Sequence, residues 1–286
     1  MTRAINPVDR IQAEVHRAAL HASPAIAALA RLGYAAKGVV YVLIGGLAFM
    51  TAIGSRQDTE GSRGALQTLI DEPFGRVILT LIAFGLAGYA VWCFVRAFFD
   101  PERAGTGAKG IAKRAFQFLK GVVHAALVIA VVDMIRGAAA SAGGDDEGIR
   151  DWTAWLMSFP LGVWLVGGVG LGVMAYGAVQ VYKGWTSDLD DQLSLARMGP
   201  GAARWTVRFS RFGMAARGVV FGIIGVFLVL AAYRANPQEV KGVGEALATL
   251  QRQPYGPFLL GAVALGLIAY GLYQFILARY RRIEGP

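Results

Sequence analysis

Six cationic side chains recur at fixed intervals and are the first candidates for chemistry. Arg31 and Lys37, Arg114 and Lys120, and Arg211 and Arg217 each stand six residues apart. The second of each pair is followed by Gly38, Gly121 or Gly218 and then by two valines. Three cations related by repetition can ring an anionic headgroup or solute. On a helix, Lys37 lies about 120° around from Arg31, so both cannot reach one ligand. Two alternative rings follow, Arg31/Arg114/Arg211 or Lys37/Lys120/Arg217. Tyr89, Tyr176 and Tyr270 form an aromatic triplet, each fourteen residues past the glycine of a Pro-x-Gly motif (Gly75, Gly162, Gly256). His124 stands where the other copies have Tyr41 and Phe221. These four are candidates to line a common axis. Gly38, Gly121, Gly218, Gly85, Gly172 and Gly266 are expected to be helix-packing positions, because glycine lets backbones approach closely. A purely architectural reading competes with the chemical one. In it the tyrosines are fillers or interface anchors, and the cations snorkel to headgroups.

The elements that must hold these residues are membrane helices. Of 286 residues, 55% are hydrophobic and 16% charged, where a soluble domain carries about 25% charged. Uncharged runs at 38–54, 77–95, 121–132, 152–182, 218–233 and 253–278 seed the spans. Flanking apolar residues extend three shorter runs to the roughly 20 residues that a bilayer requires. The expected spans are 33–54, 74–96, 115–136, 157–183, 212–233 and 256–278. Twenty of the 28 Lys and Arg lie on the side of the termini and of the 2–3 and 4–5 connections; eight lie opposite. The positive-inside rule then puts both termini in the cytoplasm.

The chain therefore divides into an amphipathic N-terminal segment (1–29), repeat 1 (30–99), repeat 2 (113–184), a cytoplasmic connection (185–208) and repeat 3 (209–281). Each repeat holds two spans, so the copies are parallel and relate by an axis along the membrane normal. The expected fold is all-α, a six-helix polytopic bundle with pseudo-threefold character. Within the connections, 8–22 has the spacing of a surface amphipathic helix. Ser187-x-x-Asp190 opens a short helix to about Met198, and Asp145-Asp146-Glu147 reads as a solvated turn. Each Pro-x-Gly proline suits the first residue of its span. Asp133 is placed to pair with Arg136, and Cys93, Gln180 and Gln274 mark a shared register near the cytoplasmic end.

The triplicated R-x5-[KR]-G-V-V opening, with the Pro-x-Gly start of each partner span, resembles the bacterial membrane proteins grouped as domain of unknown function 1206. The resemblance covers about residues 30–280. It implies a six-span bacterial inner-membrane protein of three tandem copies and carries no activity with it.

Composition and motifs narrow the function. One cysteine and three histidines exclude a disulfide scaffold, a zinc ribbon and an iron–sulfur protein. No H-E-x-x-H, G-x-S-x-G or P-loop occurs, so no catalytic residue, metal or cofactor is expected. The net +9 charge is spread over four segments without a recognition pattern, which argues against nucleic acid. The expected partners are the lipid bilayer, anionic lipid within it, and a membrane protein. The leading expectation is a non-enzymatic membrane component acting through lipid or protein contacts; the alternative is a small permease or channel along the axis.

Overall fold

The computed structural model describes residues 7–70, 72–99, 107–137, 145–186 and 200–280. Among them every regular element is helical. Six helices are long and apolar enough to cross a membrane: α1 (Pro7–Ala52), α3 (Gly75–Phe99), α4 (Ala108–Arg136), α6 (Gly162–Thr186), α7 (Pro200–Tyr233) and α9 (Gly256–Tyr280). The shorter α2 (Ser62–Gln67), α5 (Asp145–Met157) and α8 (Val243–Gln251) sit between the two spans of each repeat. Exposed tryptophans give an independent gauge of depth. Trp164 and Trp185 of α6 are 81% and 85% exposed, and the helix between them is about 31 Å long. That matches a hydrocarbon core of roughly 30 Å with aromatic residues at both interfaces.

Some elements extend beyond their expected limits. α1 runs unbroken through 8–22, and α7 begins inside the 185–208 connection. Lipid sets a minimum helix length only, and the alanine- and arginine-containing flanks are good helix formers. The side chains of 8–22 and the helix expected at 187–198 lie outside the described residues. Asp145–Glu147 is the first turn of α5, not a loop, where acidic residues favour the helix N-terminus. Asp133 and Arg136 are not paired among the described residues.

The Pro-x-Gly motif is a turn. Gly75, Gly162 and Gly256 donate their N–H to the carbonyls of Glu72, Phe159 and Gln253, at 2.8 Å in all three copies. Each proline thus occupies the second position of a four-residue turn, and the span starts two residues later. Phe74 (φ 62°) and Tyr255 (φ 60°) follow with left-handed backbone, the type II pattern. A Cβ on the three glycines would fall 1.7, 1.8 and 1.8 Å from the carbonyl oxygens of Leu69, Leu156 and Gln251. Only glycine fits there without movement of the backbone.

The spans follow one another around a ring in the order α1, α3, α4, α6, α7, α9. Neighbouring repeats join along antiparallel seams, α3 with α4, α6 with α7 and α9 with α1. Small residues seven apart, hence on one face, make these seams tight. A Cβ on Gly177 would stand 2.7 Å from the Gly218 oxygen, one on Gly170 2.8 Å from the Val229 nitrogen, and one on Gly184 2.6 Å from the Arg211 oxygen. Gly38 meets the Gly271 oxygen and Gly45 the Ala264 oxygen in the same way. Gly121 packs on the Phe94 ring.

Within repeats 1 and 3 the two spans also pack closely. Cβ atoms on Gly33 and Gly85 would lie 2.6 Å from Tyr89 Cβ and Ala36 Cβ; on Gly213 and Gly266, 2.5 Å from Tyr270 N and 2.2 Å from Ala216 Cβ. Repeat 2 differs. Phe116 replaces Gly33 and Gly213, and Leu119 replaces Ala36 and Ala216. These side chains hold α4 away from α6. The two helices share no backbone seam and meet through the Phe116 and Tyr176 rings, 4.9 Å apart. Gly172, expected to pack like Gly85 and Gly266, has nothing within 4 Å of its Cβ position. Only 22% of the α4 and α6 spans is buried, against 44–56% in the other four. The pseudo-threefold ring therefore has one open side.

At the end away from the termini, the short helices tie the repeats together. Thr59 Oγ1 donates to the Gly244 carbonyl at 2.8 Å, linking repeats 1 and 3. Arg150 of α5 pairs with Glu245 of α8 and donates through Nε to the Val240 carbonyl at 3.2 Å.

Candidate functional site

The first span of every repeat presents one stripe to the interior, at i, i+4, i+7 and i+11. It reads Lys37, Tyr41, Ile44, Ala48 in α1 and Lys120, His124, Leu127, Val131 in α4. In α7 it reads Arg217, Phe221, Ile224, Leu228. Stacked in register, these make a cation layer, an aromatic layer and an aliphatic plug. Ile44, Ala48, Val131 and Val220 are buried in one core, with Leu127 and Ile224 packed against it.

Arg217 is the centre of the polar layer, only 7% exposed. Its Nε donates to the Tyr41 hydroxyl and its Nη1 to the Tyr176 hydroxyl, both at 2.7 Å. Its guanidinium carbon lies 4.6 Å from the Phe221 ring centre, 5.0 Å from Tyr270, 5.4 Å from Tyr176 and 5.6 Å from Tyr41. Tyr41 and Tyr270 stack edge to face at 4.7 Å. Of the five guanidinium N–H groups, two are satisfied in this way. Among the described residues no carboxylate lies within ion-pair distance of it.

The other two cations join the same layer. Lys37 is 6% exposed. Its Nζ donates to the Tyr89 hydroxyl at 3.3 Å and lies 4.4 Å from that ring's centre. The Tyr89 ring touches Tyr34 at 5.5 Å and His124 at 4.6 Å. His124 Nδ1 lies 2.8 Å from the Lys120 carbonyl. Lys120 Nζ sits 4.9 Å above the Phe116 ring, which in turn contacts Tyr176.

Magnitudes show what these contacts accomplish. An arginine at the centre of a membrane helix costs about 2.5–3.5 kcal/mol on insertion scales, an upper bound for Arg217, which lies nearer one end of its span. Hydrogen bonds from a charged group contribute about 1.5–3 kcal/mol each, and each ring face about 0.5–2. The cage can thus hold the cation in place. It supplies dipoles and quadrupoles only, so the positive charge is stabilised without being cancelled.

The second ring, Arg31/Arg114/Arg211, does not converge. Arg31 is exposed. Arg114 donates to the Ala97 and Phe98 carbonyls at 2.7 and 3.0 Å, satisfying the free carbonyl end of α3. Arg211 is half-buried, and its backbone packs on Gly184. Tyr89, Tyr176, Tyr270 and His124 all reach the central layer. Tyr41 and Phe221 belong there equally, although the aromatic triplet alone does not single them out. Their signal is an aromatic residue four positions after each cation, one turn on along the same face. Gln274 is buried near Tyr270 with its Oε1 unpaired, as is the Oε1 of Gln117 on α4.

The model of the family described as Domain of Unknown Function (DUF1206) matches three times, over residues 32–100, 117–187 and 212–281. The chain belongs to this family. The three matches coincide with the three span–short helix–span units. The chain is also similar to the uncharacterized protein YxxB of Bacillus subtilis (strain 168). Identity is 35% over 260 residues, covering 91% of this chain and 93% of the relative. No solved structure matches. Membership in DUF1206 establishes the repeated six-helix membrane architecture and assigns no activity to the cation–aromatic layer.

Proposed function

We propose that this protein is a non-enzymatic component of the bacterial inner membrane, with cytoplasmic termini, that holds an anionic lipid at its Lys37/Lys120/Arg217 layer. One observation carries the reading: Arg217 is buried among aromatic rings with no carboxylate near it among the described residues. A buried cation of this kind attracts an anion strongly, because the surroundings screen it poorly. The depth suits a headgroup. Arg217 is about 24 Å along α7 from Tyr233, which leaves about 6 Å to the far edge of a 30 Å hydrocarbon core. Twenty of the 28 basic residues favour that edge as the cytoplasmic one.

The permease reading uses the same layer as a station on a pathway. The aliphatic plug of Ile44, Leu127, Val131 and Ile224 on the far side argues against it. The test is native mass spectrometry of protein purified from membranes containing phosphatidylglycerol and phosphatidylethanolamine. Retained phosphatidylglycerol, lost in Arg217→Gln, supports the reading. Equal retention by the variant, or anion flux in proteoliposomes that Arg217→Gln abolishes, overturns it.

A further inference from the structure

The open side of repeat 2 points to where a lipid reaches the cation layer. In repeats 1 and 3, Gly85 and Gly266 of the second span are covered by the first span of the same repeat. In repeat 2 the corresponding surfaces stand bare. Ala115, Phe116 and Leu119 of α4 are exposed, as are Gly168, Gly172 and Ala175 of α6. The Cβ positions of Gly168 and Gly172 meet nothing within 4 Å. A smooth furrow thus runs down α6 beside a bulky wall on α4, where a helix would otherwise pack.

The furrow ends at charge. Its floor is the Phe116–Tyr176 ring contact. Immediately behind, the Tyr176 hydroxyl accepts from Arg217, and Lys120 lies over the Phe116 ring. An apolar furrow ending at cations about 6 Å inside the membrane boundary has the polarity of a phospholipid. Its acyl chain would lie along Gly168, Gly172 and Ala175, with the phosphate at Lys120 and Arg217. A packed transmembrane helix fits less well, since Phe116 and Leu119 fill the space that its backbone would need.

We infer that the α4–α6 opening is a lateral binding site for one anionic phospholipid, with Phe116 and Tyr176 forming the gate between its acyl chain and the Arg217 cage. The inference rests on the proposed lipid-holding function and adds the route and the site.

Phosphatidylglycerol carrying a diazirine in one acyl chain tests it, with the matching phosphatidylcholine as control. On irradiation of the full chain in nanodiscs, label should concentrate on peptides spanning 112–123 and 168–179. It should exceed the phosphatidylcholine label there by about tenfold, the equivalent of 1.4 kcal/mol. Gly168→Leu with Gly172→Leu fills the furrow in open space and should remove that label with the melting temperature unchanged. Arg217→Gln should remove the preference for phosphatidylglycerol. Uniform labelling of all exposed helix faces, equal labelling by both lipids, or protection of 168–179 by a bound protein in native membranes would overturn the site. If phosphatidylglycerol is retained through Arg217 but labels elsewhere, the site fails and the proposed function stands. If none is retained, the function itself fails.

Discussion

Repeats 1 and 3 close on themselves, and repeat 2 does not. All three share the Pro-x-Gly turn, the short helix before it and the cation one turn ahead of an aromatic or imidazole ring. The contact between their two spans turns on two positions of the first span. Gly33 and Ala36, or Gly213 and Ala216, let the partner backbone press in; Phe116 and Leu119 keep it out. Pseudo-symmetry in a membrane bundle is set by small residues at contact points. Lipid provides no hydrophobic force to hold imperfect surfaces together. A repeat with large side chains at its seam can still insert, and its neighbours then hold it. Here α3 holds α4, α7 holds α6, and Arg150 ties α5 to α8.

The largest expected effect contrasts equivalent glycines. Gly266→Leu, whose Cβ would meet Ala216 Cβ at 2.2 Å, should destabilise by about 3 kcal/mol as an overpacked seam. Gly172→Leu should change stability by less than about 0.5 kcal/mol. Thermal unfolding in detergent measures both, and equal losses would mean that repeat 2 is closed after all.

Next come the hydroxyls that hold Arg217. Tyr176→Phe and Tyr41→Phe each leave a guanidinium N–H without its partner, and each should cost about 1.5–3 kcal/mol. Denaturant unfolding in the absence of anionic lipid is the check. A loss confined to Tyr41→Phe would show that the gate side contributes nothing to the cage.

A smaller change should convert one repeat type into the other. Phe116→Gly with Leu119→Ala gives α4 the seam residues of α1 and α7, at a net stability cost of about 1 kcal/mol or less. In that background, cysteines at Ala115 and Gly172, which correspond to the touching Leu32 and Gly85, should form a disulfide readily. The same pair in the native background should crosslink poorly, and equal yields in the two would refute the steric account.

The smallest effect lies in the cap. Glu245→Gln breaks a pair with Arg150 whose side chains are 35% and 25% exposed. Solvent screening limits its loss to about 0.5–1 kcal/mol. The expected signature is faster proteolysis at the α5 connection with little change in melting temperature. A large fall in melting temperature would make the cap, and not the inter-repeat seams, the main restraint on repeat 2.

Much of this architecture is legible in the chain. Long uncharged runs must be helices in lipid, because only a helix satisfies its own backbone there. Parallel copies follow from two spans per repeat, and the matched registers of Lys37, Lys120 and Arg217 follow from repetition. What repetition leaves open is direction. Arg31 and Lys37 recur equally well, and only packing shows that Lys37 turns inward while Arg114 of the other set binds the end of α3. Tyr41 is as central as Tyr270, yet its partner Arg217 lies 176 positions away.

The sequence by itself determined the six spans, their repetition and the recurrence of the Pro-x-Gly motif; the structure showed that motif to be a turn that admits only glycine. Those depend on local backbone sterics and on the lipid environment. Tertiary structure alone decided which cations share a layer, and that one of three equivalent sides stays open. Phe116 in place of glycine is an ordinary apolar residue until the helix opposite it is known. Whether a side chain closes or opens a seam depends on the distance between two backbones.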